Sequence, residues 1–157
     1  YEGKSRDECT KLAIDISTEI ARLMKPYVDG LYDGLATDLK SVMKKVTITC
    51  TTGYPADGGN PVYTIDAYMF LASAKEAGLS VSEDQHDAEG SVFDYFSAGT
   101  DTVRADFAKL VKIYYKWWTR SAVFFYGDYF YNIDANGSSW RLMVTDSFVV
   151  VPAFVIG

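Results

Sequence analysis

The single histidine of this chain, His86, is the first residue to weigh for chemistry, because an imidazole is the usual general base near neutral pH. It lies in "SEDQHDAEG", where Glu83, Asp84, Asp87 and Glu89 crowd around it. Two readings follow. Hard carboxylate oxygens suit calcium, and His86 with Asp84 or Asp87 would suit zinc, which makes these three the candidate metal ligands. The plainer reading is a solvated acidic connector, since the spacing matches no EF-hand loop. Paired carboxylates across a cleft could serve glycoside hydrolysis, and Asp128, Asp134 and Asp146 are the acids on or beside the expected sheet. Asp128 follows Gly127 inside an aromatic run, a pattern that reads more simply as a bend with its acid facing water.

No phosphate-cradling glycine motif, nucleophile elbow, histidine pair at metal spacing or Cys-x-x-Cys occurs in the sequence. What stands out is "YYKWWTRSAVFFYGDYFYN", Tyr114–Asn132, with ten of the chain's 24 aromatic residues. Tyr and Trp join a large apolar body to a polar tip, so they suit surfaces that meet both ligand and water. Tyr115, Trp117, Tyr126 and Trp140 are the expected contact residues. The competing readings are a face covered by the chain's own layers, or one that enters a bilayer interface.

Two cysteines, Cys9 and Cys50, an Asn136-Gly137-Ser138 glycosylation triplet, and a start at Tyr1 with no signal segment together suggest an exported protein. A Cys9–Cys50 disulfide is expected on that view and would contribute about 4 kcal/mol on the chain-entropy argument. Two buried thiols are the alternative. Net charge is −6 with the basic residues scattered, which argues against nucleic acid and against strong attraction to anionic membranes. The longest apolar run, Phe148–Ile156, is about half the ~20 residues of a spanning helix, so no transmembrane segment is expected.

These groups need elements to hold them. With 157 residues, 48% hydrophobic and 23% charged, the chain suits one globular domain. Ser5-Arg6-Asp7-Glu8 opens a capping box, and Cys9, Leu12, Ala13, Ile16, Ile20 and Leu23 recur at helical steps up to Lys25. A second helix is expected over Tyr27–Lys45, its acids early and its lysines late to complement the dipole. "VTITCT" reads as a strand and Gly53–Pro61 as a loop. A third helix is expected over Ile65–Ala77 with Gly78 as a left-handed cap, and a fourth over about Thr102–Thr119, capped by Thr100 or Asp101.

Beyond Arg120 the period becomes two. Asn136-Gly137 signals a type I′ hairpin, which would set Ile133 opposite Trp140 and Tyr131 opposite Leu142. A last strand, Phe148–Ile156, looks buried although Pro152 belongs at an edge.

The expected fold is therefore α+β: an N-terminal helical hairpin and two further helices packed on a C-terminal antiparallel sheet. The expected function is non-catalytic binding of a small amphiphilic ligand, sugar or protein partner, with no cofactor, by a secreted or surface-exposed protein. A membrane-active toxin, a metal-assisted hydrolase using His86, and a self-assembling protein are the alternatives.

Overall fold

A computed structural model of the chain describes residues 30–51, 62–81, 84–123 and 126–157. Cys9 and the expected first helix lie outside the described residues, as does the Gly53–Pro61 loop. The described part consists mostly of small antiparallel sheets, and only one of its α-helices is longer than six residues. The expected α+β arrangement is thus corrected.

The expected second helix fails from within. Residues 30–33 are helical, the chain breaks after them, and α1 (Thr37–Val42) buries no residue. Met43 then turns extended and pairs with Ile156, so β1 (Met43–Lys44) stands antiparallel to β9 (Val155–Ile156). Burial of Met43 in that pairing outweighs the weak helical preference of a glycine-containing segment.

The expected helix over Ile65–Ala77 is replaced by β3 (Val62–Ala67), which pairs along its whole length with β2 (Val46–Thr51). Val62, Tyr63, Thr64 and Ile65 are β-branched or aromatic, and a facing strand of the same kind decides in favour of extended backbone. A short β4 (Phe70–Leu71) follows and pairs with β8 (Pro152–Ala153). One helical turn remains, closed by Leu79 N–H on Ala74 C=O, and Gly78 takes the expected left-handed conformation, φ +69°.

Helix α2 (Asp101–Leu110) starts where expected, with Thr100 Oγ1 accepting from Val103 N–H. It stops nine residues early. Lys112 adopts φ +58°, Ile113 N–H reaches Ala108 C=O, and Lys112 N–H reaches Lys109 C=O. This is a Schellman stop with lysine where glycine is usual, and burial of Ile113 holds it. Tyr114 and Tyr115 consequently leave the expected helix and stand exposed.

The main sheet is β5 (Trp117–Val123), β6 (Tyr126–Ile133) and β7 (Ser139–Met143), all antiparallel. Its outer β5 edge is stitched by Trp118 N–H to Val149 C=O and Arg120 N–H to Ala72 C=O. The β6–β7 register is one residue off the expected one: Ile133 faces Ser139, Asn132 faces Trp140, and Tyr131 faces Arg141. A single-residue slip moves a strand's side chains to the opposite sheet face, so Trp140 leaves the Ile133 side. The expected buried strand over Phe148–Ile156 is broken into β8 and β9 and is mostly exposed, with Pro152 in a two-residue pairing. The core sits under the sheet: Ala74, Ala77, Leu79, Ala108, Ile113, Trp117, Val123, Tyr131 and Ile133.

Candidate functional site

The main sheet has two structurally different faces. On the inner one, Trp117 is 2% exposed and packs on Phe107 of α2, ring centroids 5.7 Å apart. Phe107 touches Phe96 and Tyr95, at 5.1 and 5.8 Å, which brings the "VFDYFS" segment onto the helix. Val151–Phe154 close the other side. Between these parts lies a hollow of about 310 Å³, walled by Phe93, Tyr95, Phe96, Phe107, Trp117 and Phe154. The indole N–H of Trp117 finds no acceptor among the described residues.

On the outer face, Trp118 and Trp140 flank Asn132 in cross-strand register. Trp140 is 49% exposed, and Lys116 Nζ stands 4.4 Å from its ring centroid. The four expected contacts are therefore not one site. Trp117 belongs to the inner hollow and Trp140 to the outer face. Tyr115 sits exposed on the connector beside Lys116, and Tyr126, also exposed, rests on Tyr129 where β6 begins.

The acidic segment divides between the interior and the surface. His86 and Glu89 are 1% and 0% exposed, whereas Asp87 is exposed and pairs with Lys75 at 2.8 Å. His86 Nδ1 lies 3.0 Å from Glu89 Oε2, and Ser121 Oγ donates to that same oxygen. Thr51 gives Glu89 Oε1 its N–H and its hydroxyl, at 3.1 and 2.7 Å. Imidazole and serine hydroxyl thus both turn to the carboxylate, so Ser121 is not activated by His86 in the manner of a catalytic triad. Nor do His86 and Asp87 converge, and no group of three or more metal-ligating side chains occurs among the described residues.

Beside this cluster, Arg120 forks onto the Glu76 carboxylate with both terminal nitrogens. It also donates to the carbonyls of Thr49, Leu71 and Glu89. Burial would push the Arg120 guanidinium down, but Glu76 holds it above its ordinary value. Cys50 carries a free, buried thiol among these groups; burial pushes it up although Arg120 pulls the other way. One signal for this network was in the sequence: Arg120 interrupts an otherwise apolar and small strand, "WWTRSAV", where a charge must either face water or be paired.

Burial also acts on Glu89, raising its carboxyl, yet the donors from His86, Ser121 and Thr51 outweigh it and leave the group below the ordinary carboxylate range. A depressed folded pKa means stability that is fully present above the unfolded value, 4.5, and is lost as pH falls through the lower folded one. Urea midpoints should therefore decline below about pH 4.5, and Glu89→Gln should flatten that decline. Parallel acid slopes for the two proteins would refute this role.

A family described as a domain of unknown function (DUF6273) matches residues 23–157. No curated protein matches, and no solved structure does.

Proposed function

We propose that this chain, which belongs to the DUF6273 family, is a non-catalytic binding protein that takes a small amphiphilic ligand in the ring-lined hollow beneath its main sheet. The observation that carries the reading is the hollow itself, walled by six aromatic rings, Trp117 among them. Its volume is at the lower end of the several hundred Å³ that small-molecule sites span, and apolar walls with few polar groups are their usual lining. The carboxylate-centred arrangement of His86, Glu89 and Ser121 supports a structural rather than catalytic use of those groups. A secreted or surface-exposed location is proposed with it, on the Asn136-Gly137-Ser138 triplet, whose Asn136 is exposed in the hairpin turn.

The test is p-cresol, a ring with one polar oxygen, titrated into ¹⁵N-labelled protein. Of the three tryptophan indole signals, the one absent from Trp117→Phe should shift saturably. Ala153→Phe, which adds a ring to the lining of the hollow, should weaken that response about tenfold or more. An unmoved Trp117 signal up to the solubility of p-cresol would remove the reading.

A further inference from the structure

The outer face of the same sheet holds a second arrangement that the hollow does not use. Trp118 and Phe148 lie with ring centroids 5.5 Å apart. Lys116 Nζ stands 5.6 Å from the Phe148 ring and 4.4 Å from that of Trp140. A positive nitrogen is thus bracketed by two rings, with a third ring, Trp118, behind one of them. Trp140 is fixed in place, because its indole N–H donates to Asp134 Oδ2 at 2.9 Å, which also sets a carboxylate at the edge of the ring. Asn132 lies between the two tryptophans, fully buried, and neither its amide nitrogen nor its oxygen has a partner among the described residues. This amide is fully buried and offers no surface to a ligand.

We propose that this bracket is a binding site for a quaternary ammonium group, and that Lys116 is its internal placeholder. Ring faces attract cations through their quadrupoles, and two or three rings around one nitrogen form the cage that recognises trimethylammonium groups. A primary ammonium is strongly hydrated and carries three donors, so rings alone serve it poorly. A trimethylammonium has no donor to satisfy and fits ring faces better. Displacing Lys116 disturbs little: its carbonyl is anchored by Val149 N–H, so only the flexible stem must swing to water. The net charge of −6 favours cationic over anionic ligands, and the Asp134 carboxylate beside the cage acts in the same direction.

Choline is the probe, read by tryptophan fluorescence and by the indole signals, beside 3,3-dimethyl-1-butanol, its uncharged carbon analogue. Choline should saturate, and the neutral analogue should bind about tenfold more weakly or not at all. Lys116→Ala removes the internal competitor and should tighten choline about two- to fivefold. Trp140→Ala should weaken it about tenfold, and Phe148→Leu gives an independent check should the first variant lose its fold. Vesicles of phosphatidylcholine against phosphatidylglycerol separate the sources: co-sedimentation with the former alone assigns a lipid headgroup, and binding of choline only in solution assigns a free ligand. No saturable response in Lys116→Ala, equal binding of the neutral analogue, or weaker choline binding after Lys116→Ala would each overturn the proposal.

Discussion

Arg120→Ala is expected to be the most damaging single change in this protein, lowering stability by about 3–5 kcal/mol. All five N–H groups of the guanidinium are engaged: two with Glu76, and one each with the carbonyls of Thr49, Leu71 and Glu89. Those carbonyls belong to β2, β4 and the turn that carries Glu89, so one side chain from β5 ties β4 to the pair that Thr51 and Glu89 already join. Truncation leaves the buried Glu76 carboxylate without its counter-ion, and an uncompensated buried charge costs far more than the pair contributed. In a chain of this size each kcal/mol moves Tm by roughly 2–4 °C, so a fall of about 6–20 °C should appear in calorimetry. Arg120→Lys should recover only part, because an ammonium lacks the planar fork that meets Glu76 and the carbonyls together. Arg120→Met combined with Glu76→Met should be less harmful than the two single effects added, since the second change removes the stranded charge. A parent-like Tm for Arg120→Ala would show that the network does not hold the sheets together.

How much of this was readable from the residues follows from how local each signal is. The strand over Val46–Thr51, the Thr100 cap and the left-handed Gly78 all rest on neighbours within a few positions, and all stand where sequence put them. The Ile65–Ala77 helix was misread because its apolar spacing fits a helix, while the deciding fact is a partner strand some fifteen residues earlier. The early stop of α2 was hidden because Lys112 occupies a conformation that announces itself only when glycine is there. The density of rings in Tyr114–Asn132 did point to both faces described above, but not to their division. That division depends on where β5 begins and on the hairpin register, neither of which composition determines. Arg120 stood out in its strand, but its partner Glu76 and the donors around Glu89 are set only by tertiary contact.

Gly137→Ala is the second large effect, about 3 kcal/mol, and it also tests the register that separates the two faces. The Asn-Gly pair was expected to form a two-residue type I′ turn, which needs positive φ at both positions. Instead Gly137 N–H bonds to Asp134 C=O and Asp134 N–H to Ser138 C=O, with Gly137 at φ +85° and Asn136 outside the positive region. This is a three-residue loop, a type I turn followed by a left-handed glycine. Asp134 Oδ1 enforces it by accepting from the N–H groups of Asn136 and Ser138. The turn is also docked on the start of α2: Arg104 Nε donates to Gly137 C=O, and Ser138 Oγ donates to Asp101 Oδ2. A Cβ on Gly137 would lie 1.9 Å from the carbonyl oxygen of Asp101, so the backbone itself must move. Left-handed strain of about 1–2 kcal/mol adds to that clash. Asn136→Ala discriminates between the turns. In the type I′ form it would remove the residue best suited to positive φ, whereas in the observed loop it should cost only a few tenths of a kcal/mol. Comparable losses for the two variants would restore the type I′ register, carry Trp140 back to the Ile133 side and dismantle the aromatic bracket around Lys116. A large loss for Gly137→Ala alone keeps Trp140 beside Asn132, where the proposed cage requires it.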